Sequence, residues 1–192
     1  MRVGVLAHQG AFAEHISILA DLGAEGVPIR LPEHLERVEG LIIPGGESTT
    51  ISKLNNEYRL ARVILEMAGK GMPVFGTCAG MILMASVIGD DRLEPLKLID
   101  ITIRRNAFGR QRESFEADLR IPALGEPAFH GVFIRAPQVE AVGPGVEVLS
   151  RLDDGAIVAV RQGVHLALAF HPELGSDMRC HRYFLDIING VK

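Results

Sequence analysis

Short apolar runs, each followed by an amphipathic stretch of helical period, constrain this chain more than any other feature. Val3 to Ala7 is such a run, and its lack of alternation suits a strand buried on both faces. Ala11 to Leu22 follows with Phe12, Ile16 and Leu19 at helical spacing and Gly23 as a stop. Val27 to Arg30 predicts a weak strand before Pro32. Leu41-Ile42-Ile43 predicts another, ending at Pro44-Gly45-Gly46. Ser48 or Thr49 is expected to cap a short helix, with a longer one over Glu57 to Ala68. Pro73-Val74-Phe75 reads as a strand and Met81 to Val87 as a helix. This rhythm predicts a parallel sheet with helices on both faces.

The second half changes character. Ile99 to Arg105, Phe115 to Ile121 and Phe129 to Arg135 read as strands, as do Val146 to Leu152, Ala156 to Arg161 and His165 to Phe170. Asp153-Asp154-Gly155 and Gln162-Gly163 are hairpin turn signals. Asp177 to Ile188 is a closing helix with Ser176 as its expected N-cap. A parallel core with an antiparallel extension fits one domain over residues 1–192 better than two. Sites in such sheets lie beyond the carboxyl ends of the strands. Gly10, Gly45-Gly46, Cys78 and His171 all follow predicted strands, so they are expected to converge at one edge.

Composition narrows the function. A net charge of -4 leaves no basic footprint, and with 5% aromatics and no Trp a nucleic-acid partner is not expected. No apolar run reaches the roughly 18 residues of a membrane helix. The start, Met1-Arg2-Val3-Gly4-Val5, lacks the layout of a secretory signal. Two cysteines are too few for a disulfide framework, so a reducing cytoplasm is the expected setting. No close His/Cys ligand cluster exists, and neither metal nor cofactor is expected.

Two segments carry chemistry. Gly76-Thr77-Cys78-Ala79-Gly80 has the small-residue spacing of a nucleophile elbow, where a sharp turn forces the central side chain outward. That turn puts Cys78 at a helix N-terminus, where unpaired N–H groups favour thiolate and the Ala79 N–H becomes a candidate oxyanion donor. The bland reading is a buried cysteine in a glycine-rich turn. His171-Pro172-Glu173 follows an apolar strand. Residues two apart in extended chain project to the same side, so Glu173 can hold one ring nitrogen while the other faces the thiol. A solvated loop pair is the alternative. Cys180 sits in an amphipathic helix and reads as a core or surface thiol. His165 lies in a strand, His15 and His181 lie on helices, and His34 and His130 are loop or edge residues; none has a comparable context.

At these residues the chain resembles the class I (triad) glutamine amidotransferases. Pro44-Gly45-Gly46-Glu47-Ser48-Thr49-Thr50, the cysteine elbow, Arg105-Asn106-Ala107-Phe108-Gly109-Arg110-Gln111 and Phe133-Ile134-Arg135-Ala136-Pro137 are similar to one branch, the glutaminase subunits of pyridoxal 5'-phosphate synthases. The similarity runs from Gln9-Gly10-Ala11 to the closing helix. It implies a three-layer, flavodoxin-like α/β amidotransferase fold with a mixed, mostly parallel sheet and an antiparallel extension.

The resemblance also implies roles. Cys78 attacks the amide carbon of L-glutamine and forms a glutamyl thioester, His171 moves the proton, and Glu173 orients His171. Backbone N–H groups at Gly46 and Ala79 stabilise the oxyanion. Gly46, Glu47, Ser48, Arg105, Ile134 and Arg135 bind glutamine; an arginine suits the α-carboxylate, and Glu47 suits the α-ammonium. Without the motif, Arg105 and Arg135 read as strand-edge charges and Ser48 as a helix cap. The implied partner is a synthase subunit, in a hetero-oligomeric complex that joins the ammonia to a pentose phosphate and a triose phosphate. Docking is expected to complete the oxyanion hole, with the Gly45-Gly46 peptide as the switch. His8 departs from the family pattern, where an aliphatic residue is expected. A class I glutaminase serving another synthase is the alternative. An α/β-hydrolase shares the elbow, but its acid precedes its histidine, whereas Glu173 follows His171. A subunit that merely organises the synthase is argued against by the intact Cys78, His171 and Glu173.

Overall fold

The computed structural model describes residues 1–89, 92–104 and 114–191. The first half alternates as its pattern requires: β1 (Arg2–Leu6), α1 (Phe12–Asp21), β2 (Glu25–Ile29), β3 (Gly40–Ile43), α2 (Ser48–Glu57), α3 (Leu60–Gly69), β4 (Val74–Thr77) and α4 (Ala79–Met84). β1 pairs parallel with β2 on one side and β3 on the other, and β3 with β4. Right-handed crossovers to opposite sides of β1 place α1 on one face and α2 and α3 on the other. Every residue of β3 and β4 is buried, as strands covered on both faces must be.

The rest of the chain supplies β5 (Ala85–Ile88), β6 (Ile99–Arg104), β7 (Ser114–Leu119), β8 (Phe129–Ile134), β9 (Gln138–Val142), β10 (Glu147–Arg151), β11 (Ile157–Gln162), β12 (His165–Leu168) and α5 (Arg179–Ile188). Among the described residues the main sheet runs β2-β1-β3-β4-β12-β11-β9-β6-β5, with β10 also on β11. β12 returns to lie parallel beside β4, with Ala167 opposite Gly76 and Leu168 opposite Thr77. That register brings the segment after β12 next to the cysteine turn. Beyond β12 the pairings turn antiparallel through β11, β9 and β6. β7 and β8 form a separate ribbon. Phe133 of the ribbon packs on Phe170, ring centroids 5.5 Å apart, and so pins the ribbon to the residue before His171. α5 closes the α1 face, where Phe184 meets Phe75 of β4 at 5.3 Å. No helix among the described residues is long and apolar enough to cross a membrane.

Several sequence expectations differ locally. The helix expected over Met81 to Val87 ends at Met84, and the chain continues as β5 because pairing with β6 overrides local preference. β9 was not expected, since only Val139 of its five residues is buried and its polarity reads as a loop. The helix expected from Glu57 begins at Leu60. Neither Ser48 nor Thr49 caps α2; Glu47 does, through its carboxylate. Ser176 does not cap α5, which starts two residues after Asp177, whose carboxylate accepts the Arg179 N–H at 3.0 Å.

Candidate active site

β4 delivers Cys78 into its turn with φ 49° and ψ -103°, a backbone strained for an L-residue. Close approach explains the glycines on either side. A Cβ on Gly76 would stand 2.6 Å from the Gly80 carbonyl carbon, and one on Gly80 would clash with the Ile43 carbonyl oxygen of β3. The turn is held by the Cys78 N–H, which donates to Leu168 O at 2.8 Å. Cys78 is buried, and its Sγ lies 3.6 Å from the Ile134 carbonyl oxygen. As the first residue of α4, Ala79 has an N–H with no partner inside the helix.

His171 emerges from the strand side with its own N–H donating to Val132 O of the ribbon at 2.8 Å. Pro172–Leu174 then form a single 3-10 turn that folds Glu173 back. His171 Nδ1 and Glu173 Oε1 are 2.7 Å apart, which leaves Nε2 for the thiol. Burial opposes charge on the imidazole, but hydrogen bonds to the Cys78 sulfur and the Glu173 carboxylate outweigh it. They raise the His171 pKa to about 10. The three expected residues thus form one buried row.

The Gly45-Gly46 turn lies across this row. A Cβ on Gly45 would clash with His171 Cε1, and one on Gly10 would clash with the Gly45 carbonyl. The Gly45 N–H donates to Thr77 Oγ1 at 3.1 Å, and the Glu47 N–H to Gln9 Oε1 at 2.9 Å. The four turns expected at one edge do meet there. Glu47 caps α2 with the same carboxylate that the resemblance assigns to glutamine. Its carboxylate accepts the Thr50 N–H at 2.7 Å, the Thr49 N–H at 3.2 Å and both threonine hydroxyls. Burial would raise its pKa, but these hydrogen bonds hold it down at about 2. Ser48 is buried in the first turn of α2. Ile134 sits at the thiol through its carbonyl, and Arg135 follows, exposed, with φ 45°. Arg105 and the rest of its motif through Gln111 lie outside the described residues. His8 stacks on Tyr58 with ring centroids 5.3 Å apart.

Sequence reasoning passed over two histidines. His15 and His181 are fully buried, and His15 Nε2 lies 3.5 Å from Glu173 Oε2. A signal was present: His15 stands three residues after Phe12 and four before Leu19, a polar side chain on an apolar stripe. The stripe that α1 buries is in fact His15, Ile18 and Leu19. Cys180 is a buried core thiol whose pKa burial pushes well up.

A strained cysteine, an imidazole and a carboxylate in one buried row at the ends of parallel strands have the layout of thiol-dependent acyl-transfer enzymes on α/β folds. Within that class the chain belongs to the SNO glutamine amidotransferase family, whose model matches residues 5–190. A relative from Herpetosiphon aurantiacus, named pyridoxal 5'-phosphate synthase subunit PdxT, is 58% identical over 190 residues, covering 97% of this chain and 100% of the relative. A Dehalococcoides mccartyi protein of the same name is 56% identical over 194 residues and all of both chains. A crystal structure described as a glutamine amidotransferase superposes with a TM-score of 0.92 at 50% identity, over 97% of this chain and 98% of that one. The expected class I amidotransferase fold is the fold observed.

Proposed function

We propose that the chain is a glutaminase that supplies ammonia to a pyridoxal 5'-phosphate synthase, with Cys78, His171 and Glu173 as its reacting row. The row carries the reading: a buried thiol, a base raised to about 10 and an orienting carboxylate at 2.7 Å. The family membership and the named relatives support the substrate and the partner.

Residues 1–192 act as one glutaminase domain in this reading. His171 takes the Cys78 thiol proton, the thiolate attacks the carboxamide carbon of L-glutamine, and the imidazolium hands that proton to the departing nitrogen. Ammonia leaves and a glutamyl thioester remains. Water, deprotonated by His171, then attacks the thioester, releasing glutamate and restoring the thiol. Glu173 keeps the ring oriented throughout. N–H groups at Ala79 and Gly46 face the developing oxyanion, a position where one well-placed donor contributes roughly 3 kcal/mol. Gly46, Ser48, Ile134 and Arg135 are the proposed substrate contacts, Ile134 having its carbonyl 3.6 Å from the thiol; Glu47 reaches the α-ammonium by sharing its cap bonds, and Arg105 completes the set. The ammonia passes to the synthase subunit within a hetero-oligomeric complex, which joins it to a pentose phosphate and a triose phosphate. A reducing cytoplasm suits a thiol nucleophile and is the proposed setting.

The test is ammonia release from L-glutamine by the chain alone and with the synthase subunit. Release that rises with the partner supports chemistry, pathway and a Gly45-Gly46 peptide set by docking. Equal release in both arms removes the docking switch. No release in either removes glutamine as the substrate.

A further inference from the structure

Beyond Glu173 and Thr77, two buried histidines form a second layer. His15 comes from α1 and His181 from α5, and neither has exposed surface. His15 Nδ1 is 2.8 Å from His181 Nε2. His15 Nε2 faces two oxygens, Glu173 Oε2 at 3.5 Å and Thr77 Oγ1 at 3.4 Å. Glu173 therefore holds His171 with one oxygen and meets His15 with the other.

Only one proton fits between His15 Nδ1 and His181 Nε2, and the surroundings decide who owns it. If His15 Nδ1 carried it, the Nε2 lone pair of His15 would point at a carboxylate. His181 would then carry its own proton on Nδ1, an atom buried without a hydrogen-bond partner among the described residues. If His181 Nε2 donates instead, His15 carries its proton on Nε2, aimed between Glu173 and Thr77, and the orphan at His181 Nδ1 is only a lone pair. Burial keeps both rings neutral, lowering the His15 pKa well below its usual range and that of His181 to about 4. At 3.5 Å the approach to Glu173 is longer than a formed hydrogen bond, and such contacts commonly close up only when substrate is bound. Thr77 extends the connection, because its Oγ1 also accepts the Gly45 N–H.

We propose that His15 is a positioning residue: its Nε2–H holds the outer oxygen of Glu173 and, through Thr77, ties that carboxylate to the Gly45-Gly46 peptide. One buried ring then sits at the joint between the base and the oxyanion turn, so that both are set together. His181 fixes the tautomer that makes this possible. The proposal rests on the glutaminase reading above.

The experiment uses the full chain with its synthase subunit. In His15→Leu, kcat for ammonia release falls about 10- to 100-fold, the range for losing a supporting partner, while KM for glutamine stays near the parent value. His15→Gln places an amide N–H near the former Nε2 and recovers most of the lost kcat. In the folded parent, nitrogen-15 NMR of the histidines shows His15 protonated on Nε2 alone near neutral pH. Parent kcat in a folded His15→Leu variant overturns the proposal. So do equal losses in the Leu and Gln variants, or a proton on Nδ1 of His15. If His15→Leu does not fold, the Gln variant and the tautomer decide. A parent that releases no ammonia under any condition overturns the glutaminase reading instead, and leaves the tautomer as the test of the proton arrangement.

Discussion

Among the described residues stand two histidine–carboxylate clusters made of the same chemical parts. On the β7–β8 ribbon, His130 lies between Asp118 at 2.8 Å and Glu116 at 3.0 Å, all three exposed. Beyond β12, His171 meets Glu173 at 2.7 Å, with the carboxylate side chain wholly buried. Both imidazoles have raised pKa values. Yet the exposed cluster meets no thiol among the described residues, and water screens it. The buried one has a thiol in front, two neutral imidazoles behind and a glycine turn across it. Burial and neighbours, more than residue type or pKa direction, distinguish the proposed base from a surface ion pair.

The largest effect expected contrasts the two sites directly. Cys78→Ala abolishes ammonia release, and His171→Ala lowers it by roughly 10⁴-fold or more, because members of such a row act as a unit. Synthesis of pyridoxal 5'-phosphate from free ammonium by the Cys78→Ala complex continues. Loss of that too would make Cys78 structural. A near-normal rate in His171→Ala would sink the base assignment. Next comes Gly45→Ala, whose methyl group meets His171 Cε1. A displacement of that order costs about 10²-fold in turnover, checked by steady-state kinetics beside a melting curve that shows the variant folded.

The legibility of the chain follows the same contrast. The parallel half was readable because its strands are buried on both faces, so apolar runs and glycine stops stand out. The elbow was readable because its glycines stand two residues either side of Cys78, although the contact that demands Gly80 comes from Ile43 of β3, far earlier in the chain. β5 and β9 were not readable, since partners distant in sequence decide them. The Glu47 cap was hidden behind Ser48 and Thr49, better capping residues by type. His15 and His181 escaped notice because the link from α1 to α5 exists only in three dimensions, 166 residues apart.

The buried row also makes opposite demands on the two sides of neutral pH. His15 and His181 have lowered pKa values, the first well below its usual range and the second to about 4. The unfolded chain takes up protons below about pH 6.5 that these rings refuse when folded. Their stabilisation is therefore full above that point and drains away as pH falls, by at most about 1.4 kcal/mol per pH unit for each ring. His171 works the other way. Its pKa is raised to about 10, so its contribution is full below about 6.5 and is lost as pH rises toward 10. Urea unfolding at pH 5, 7 and 9 should show both limbs. His181→Phe should flatten the acid limb and His171→Ala the alkaline one. An acid limb that His181→Phe leaves unchanged would remove the neutral pair as its source.

The smallest effect belongs to the exposed cluster, and it sharpens the comparison from the other end. Hydrogen bonds to Asp118 and Glu116 raise the His130 pKa, so whatever it contributes is present below about pH 6.5 and fades as pH rises through the raised value. Because the ring lies in water, that contribution is small, and its hydrogen bonds run to Asp118 and Glu116 of the ribbon rather than to the buried row. His130→Asn should leave ammonia release unchanged. Its melting temperature should differ slightly from the parent at pH 6 and match it at pH 9. Added salt should shrink the pH 6 difference, since exposed ion pairs weaken as ionic strength rises. A loss of turnover in His130→Asn would place the ribbon in the reaction, and the distinction between the two clusters would then rest on something other than burial.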